Sequence, residues 1–198
     1  SPSHYARSKA TGEKLARAAM PSAIVVRPSI LFGPEDDFFN RFASMACFSP
    51  AVPLIGGGHT RFQPVFAGDV AAAIVCAMEG RARAGEVYEL GGPEVKSFKE
   101  LMQFVLATIE RRRLLIPIPF ALGKLQASVL QWMPKPLLTP DQVELLRSDN
   151  VVSEQAGREG RTLAALGIDP LAMESVVPSY LWRFRKAGQF SRQMTEDR

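Results

Sequence analysis

The spacing of hydrophobic positions changes several times along this chain, and each change marks an element. From Tyr5 to Ala19 a helix is predicted, with Ala10, Leu15 and Ala18 available for an inner face and Glu13, Lys14 and Arg17 pointing outward. Pro21 closes it. Ala23-Ile24-Val25-Val26 is then a short continuous apolar run, the pattern of a strand buried on both faces in a parallel sheet covered by helices. A helix followed at once by such a strand is half of a βαβ unit. Pro28, Gly33 and Pro34 predict a loop, Phe38 to Phe48 a helix, and Gly56-Gly57-Gly58 a turn or flexible loop. A strand is expected near Phe62 to Phe66 and a helix from about Asp69 to Glu79. Glu86 to Leu90 alternates as a strand does and stops at Gly91-Gly92-Pro93.

Beyond Gly92 the pattern becomes mostly helical. Ser97 and Glu100 have the spacing of a capping box, which starts a helix expected to reach about Glu110. Leu114 to Ile118 is short and apolar, and Pro117 and Pro119 rule out a helix interior there, so a strand is expected. Phe120 to Trp132 reads as an amphipathic helix. Thr139-Pro140 and Asp169-Pro170 each place a capping side chain before a proline at the first helical position. They predict helices to Arg147 and to Ala187. The chain divides near Gly92 into an α/β part, residues 1–91, and a mostly helical part, residues 92–198.

Composition excludes some classes of function. Of 198 residues, 46% are hydrophobic and 22% charged, as in ordinary globular proteins, so disorder is expected only in the polar tail Ser191 to Arg198. The net charge of +4 is mild, and only Arg111, Arg112 and Arg113 cluster. These three read as a solvated helix end, or as a contact for a partner or an anionic lipid. Nucleic-acid binding would require a denser basic stripe. His4 and His59 have no second ligand at metal spacing, and Cys47 and Cys76 read as reduced core thiols. No charge-free apolar run has the length of a membrane span. The chain opens without Met, inside a helical pattern and without a secretory leader, which leads to the expectation of a fragment.

The residues with chemical potential are Tyr5 and Lys9. Their i, i+4 spacing puts both side chains on one helix face. A phenol alone is a weak acid near neutral pH, and a neighbouring ammonium favours its ionised form. Such a pair can exchange a proton with a substrate carbonyl while the ammonium hydrogen-bonds ribose hydroxyls.

The surrounding residues extend the motif. Tyr5-Ala6-Arg7-Ser8-Lys9 with Gly12-Glu13 resembles the active-site helix of extended short-chain dehydrogenases, the NAD-dependent epimerase/dehydratase superfamily. Val26 to Pro34 resembles that family's Arg-Pro-x-x-x-(Tyr/Phe)-Gly-Pro loop. Val65-Phe66-Ala67-Gly68-Asp69-Val70 and the stretch from Tyr88 to Leu101 resemble two further blocks, in the family's order. The resemblance implies the rear half of a Rossmann-type doubly wound parallel sheet with a smaller helical domain. It also implies that Tyr5 and Lys9 face the nicotinamide of NADP(H) or NAD(H), and that Pro28, Ser29 and Ile30 pass beside it. No metal is implied. The family's Gly-rich phosphate loop and its catalytic Ser or Thr have no counterpart in these residues.

A narrower resemblance separates binding from turnover. Gln63-Pro64-Val65 stands where sugar-nucleotide epimerases carry Arg-Asp-Phe, whose arginine grips substrate phosphates, and Arg61 is off that register. The Gln-Pro-Val form is similar to the NAD(P)-binding accessory subunits of respiratory complex I and their bacterial relatives. Gly12-Glu13-Lys14 and Phe39 to Met45 point the same way. This resemblance implies a dinucleotide-holding accessory subunit, cytoplasmic in bacteria or on the matrix side in mitochondria, peripheral to the inner membrane. It would meet respiratory-complex subunits or the membrane surface through residues 111–132. Two other readings stay open: an active oxidoreductase or epimerase using Tyr5 and Lys9, and a truncated chain that does not bind dinucleotide.

Overall fold

The computed structural model describes residues 3–132, 138–186 and 188. The chain begins with helix α1 (His4–Ala19), where the hydroxyl of extended Ser3 accepts the Ala6 N–H and satisfies one of the free donors of the helix start. There follow β1 (Val25–Pro28), β2 (Leu31–Phe32), α2 (Phe38–Phe48), β3 (Ala51–Ile55), a 3-10 turn at Gly56–Gly58, β4 (Arg61–Phe62) and β5 (Val65–Phe66). Next come α3 (Ala67–Met78), β6 (Val87–Leu90), β7 (Lys96–Ser97), α4 (Phe98–Thr108), β8 (Leu114–Ile118) and α5 (Phe120–Leu130). The last helices are α6 (Pro140–Leu145), α7 (Glu154–Arg158), α8 (Met173–Val176) and α9 (Pro178–Leu181).

Parallel pairing dominates. β1 pairs with β6 from Val25↔Val87 to Pro28↔Leu90, β2 with β5, and β3 with β8; β4 and β7 are antiparallel. Parallel partners need long crossovers, and helices supply them: α2 and α3 lie between β1 and β6, α3 and α4 between β3 and β8. The result is an α/β architecture of short strand pairs, mostly parallel, joined by helices.

Two apolar cores result. One joins α2, β3, α4 and α8–α9 through Phe39, Val52, Leu101, Met102, Ile109 and Leu181. Its aromatic rings meet mainly edge-on, Phe32 against Phe39 at 6.3 Å and Phe42 against Phe98 at 5.3 Å, arrangements that add to simple burial. The other core packs α3 and β6 with Leu163 and Leu166. A small third cluster, Ile55, Ala127 and Val143, ties α5 to α6.

Capping residues placed several elements where expected. The Ser97–Glu100 capping box opens α4, and Thr139 with Gln142 forms another before Pro140. Other expectations need correction. α1 buries no residue, and Leu15 on its expected inner face is 64% exposed, because no described element packs over that face. The strand after it runs from Val25 to Pro28 and is half-buried rather than enclosed. The strand expected at Phe62–Phe66 is two short ones, broken where Pro64 lacks an N–H and where the Gln63 N–H turns to the Asn150 carbonyl. The helix expected from Pro170 starts at Met173 after extended Ala172, and Pro178 divides it. Upstream, the Leu171 N–H donates to the Asp69 carboxylate, which is one reason the chain stays extended there. Arg111 and Arg113 are not free solvated charges. Their Nε atoms donate to the carbonyls of Phe184 and Ala46, at 2.9 and 2.8 Å, and Arg112 alone of the three is exposed. The predicted tail from Ser191 and the predicted helix end at Ala187 lie outside the described residues.

Candidate functional site

Tyr5 and Lys9 stand on the solvent side of α1, one turn apart. The Lys9 ammonium lies 5.5 Å from the Tyr5 ring centroid, and Tyr5 is 55% exposed. The pair is therefore open to a ligand, and the helix beneath it is held at three points. Glu13 makes a forked ion pair with Arg27 of β1, at 2.8 and 3.0 Å. Arg17 donates to the Gly85 carbonyl just before β6. At the helix start, Asp141 of α6 accepts the His4 N–H at 2.6 Å and, through its other oxygen, the Ser3 hydroxyl at 2.9 Å and the Tyr5 N–H at 3.2 Å.

Burial opposes the charged form of Asp141, but the donors from His4, Ser3 and Tyr5 outweigh it and hold the carboxyl below the usual aspartate range. Nothing in the local sequence marks Asp141 as a partner of Tyr5, since 136 residues separate them. The only local signal was the predicted helix start at Thr139-Pro140.

Pro28, Ser29 and Ile30 form the exit of β1. Pro28 pairs with Leu90, and the Ser29 N–H donates to the Leu90 carbonyl at 2.9 Å. Ser29 is buried, and its hydroxyl donates to the Asn150 carbonyl at 2.7 Å while accepting the Gln63 N–H at 3.2 Å. The Ile30 carbonyl accepts the Val65 N–H. The Ser29 side chain is thus engaged within the protein. Arg27 links the same strand to α1 through Glu13, so the two groups of site residues share one connected frame.

Gln63 supplies a feature the motif alone did not reveal. Its amide nitrogen donates to the Gly92 carbonyl at 2.8 Å and its amide oxygen accepts the Val152 N–H at 3.0 Å. The side chain is a bracket between the end of β6 and the segment after Asn150. Gly91 and Gly92 make room for it: a Cβ on Gly91 would fall 2.5 Å from the Gln63 side chain, and one on Gly92 would fall 1.9 Å from the Pro64 carbonyl oxygen. Arg61 is held by Asp149, with Nε to carboxylate at 2.8 Å. The Arg61 N–H and then its guanidinium keep the Asp149 carboxyl below its usual range. Among the described residues no group of three His, Cys, Asp or Glu side chains could hold a metal.

Residues 1–91 match the family model "NAD dependent epimerase/dehydratase family", and this part of the chain is similar to that family. Among curated proteins it is 34% identical over 198 residues to "NADH dehydrogenase [ubiquinone] 1 alpha subcomplex subunit 9, mitochondrial" of Arabidopsis thaliana, covering 95% of this chain and 48% of that protein. The protein of the same name from Mus musculus is 33% identical over 193 residues, 96% of this chain and 50% of its own length. The chain thus spans about half the length of these relatives. Among solved structures, the dTDP-glucose 4,6-dehydratase DesIV of Streptomyces venezuelae, with NAD and TYD bound, superposes with a TM-score of 0.63 at 19% identity. That match covers 91% of this chain and 50% of the dehydratase, and it shows the shared fold.

Proposed function

We propose that this chain is the rear part of a nicotinamide-dinucleotide-holding accessory subunit of NADH:ubiquinone oxidoreductase. Residues 1–91 serve as the dinucleotide-facing part, and residues 92–198 as the part that docks. Lys9 contacts ribose hydroxyls of NADP(H) or NAD(H), Tyr5 lies beside the nicotinamide, and the backbone of Pro28, Ser29 and Ile30 borders it. When bound, the dinucleotide would supply a hydride donor or acceptor; the part of these residues is to bind and orient it.

The observation that carries this reading over a sugar-nucleotide enzyme is the Gln63 bracket. Where sugar-nucleotide relatives place a phosphate-gripping arginine, this chain puts a neutral amide whose oxygen and nitrogen both bond to its own backbone. The nearby Arg61 is tied to Asp149. The names of the relatives, subunits of a mitochondrial NADH dehydrogenase [ubiquinone], support a place in that assembly and a mitochondrial setting. No described helix is long and apolar enough to cross a membrane. Contact with respiratory subunits or the membrane surface falls to residues 111–132, where Leu114, Leu122, Leu125 and Trp132 are exposed while Leu115 and Phe120 pack inward. The accessible Tyr5–Lys9 pair favours a second reading, an active oxidoreductase.

Native electrophoresis of detergent-solubilised membranes distinguishes the two. The accessory reading expects the full-length protein to migrate with NADH:ubiquinone oxidoreductase and to lose that association on Leu122→Glu/Leu125→Glu substitution. A free protein that oxidises or epimerises a sugar nucleotide would overturn it.

A further inference from the structure

We propose that Asp141 is a positioning residue for the Tyr5–Lys9 pair, fixing the start of α1 from a distant part of the chain. This inference rests on the reading that the pair contacts a dinucleotide. The first turn of α1 has no acidic residue of its own, so its positive end lacks a local counter-charge. Asp141 supplies one from outside. Its two oxygens take the N–H of His4, the N–H of Tyr5 and the hydroxyl of Ser3, the same Ser3 that caps the helix. Bonds to an ionised acceptor are the strong kind, roughly twice as strong as neutral ones. One of the three donors is the backbone of Tyr5 itself, and Lys9 follows one turn later on the same rigid helix.

The carboxylate is held firmly enough to act as a fixed point. Asp141 lies in the first turn of α6, directly after Pro140, with the Thr139–Gln142 capping box locking both sides of that turn. Val143, two residues on, is fully buried in a cluster with Ile55 of β3 and Ala127 of α5. The Arg147 guanidinium, just past α6, lies over the Phe120 ring at 4.8 Å, joining the opposite ends of the hairpin. Asp141 touches neither the phenol nor the ammonium through its side chain. It acts on them through the helix, so the packing of α5 against α6 sets where the pair stands.

The test uses the full-length protein and titrates NADPH by nicotinamide fluorescence, at a temperature well below the melting midpoint of each variant. Asp141→Ala is expected to weaken NADPH binding roughly fivefold or more and to shift the emission of the bound nicotinamide. Asp141→Asn, which keeps one acceptor for the backbone donors but loses the charge, is expected to fall between it and wild type. Asp141→Glu, which keeps the carboxylate, is expected to recover part of the affinity. A purely structural role predicts something else: a lower melting midpoint with wild-type affinity and emission, and that result overturns the proposal. Should Asp141→Ala fail to fold, unchanged affinity and emission in Asp141→Asn overturn it equally. Lys9→Ala is the companion measurement. If Lys9→Ala weakens binding and the Asp141 variants do not, this inference alone fails. If Lys9→Ala binds NADPH like wild type, the underlying reading of the site falls, and this inference with it.

Discussion

Around α2 and α4, sequence pattern and packing agree: Phe39, Phe98, Leu101 and Ile109 fall on helical faces and are almost completely enclosed. Along α1 and the outer face of α3 they part. Leu15 on α1, Met20 just after it, and Ile74, Val75 and Met78 on α3 are exposed, although the spacing of apolar residues assigned Leu15 to an inner face. A shallow apolar groove on the outer face of α3 is lined by Ile24, Val26, Ile74, Ala77 and Met78. The contrast teaches that an amphipathic pattern says which face is apolar, not which partner covers it. It also puts the candidate site on the open side, since Tyr5 and Lys9 share α1 with the uncovered Leu15.

Four substitutions or conditions sharpen this comparison. Phe39→Ala, in the closed core, is expected to cost about 3–5 kcal/mol, read as a drop in the denaturant midpoint at unchanged slope. Gly92→Ala should cost about 1–3 kcal/mol, because the new Cβ meets backbone that cannot move without disturbing the Gln63 bracket. Leu15→Lys, on the open side, is expected to change the stability of the 198-residue chain by no more than about 0.5 kcal/mol. A cost at Leu15 approaching that at Phe39 would erase the distinction between the two regions.

The smallest effect is with acid. Asp141 and Asp149 both have folded-state carboxyls below the ordinary range, so each contributes stability that is present above the unfolded-state value and lost as pH falls through the folded one. Asp149→Asn is expected to lower stability at neutral pH and to flatten its decline below about pH 4. A pH–stability profile parallel to wild type would show that the Arg61–Asp149 contact contributes nothing.

Local chemistry was legible in the sequence. The Ser97 and Thr139 caps, the helix at Phe38 and the strand at Val87 depend on neighbours within a turn or on strict alternation. The Tyr5–Lys9 pair was legible for the same reason, its geometry being internal to one helix. What escaped depends on distant partners. The two arginines of the basic cluster turn to carbonyls more than sixty residues away, and Asp141 meets Tyr5 across 136. The helix expected from Pro170 differs for a local reason: Pro178 has no N–H to donate and divides it.

The central claim is that the α1 face binds a nicotinamide dinucleotide through Lys9, with Tyr5 beside the ring. The most direct measurement is the NADPH and NADH dissociation constant of the full-length protein, compared among wild type, Lys9→Ala and Tyr5→Phe. The account predicts that Lys9→Ala weakens binding of the preferred dinucleotide about tenfold, a loss of roughly 1.4 kcal/mol, while Tyr5→Phe stays within about twofold of wild type. Equal affinity in all three proteins, or no measurable binding by wild type, would contradict it.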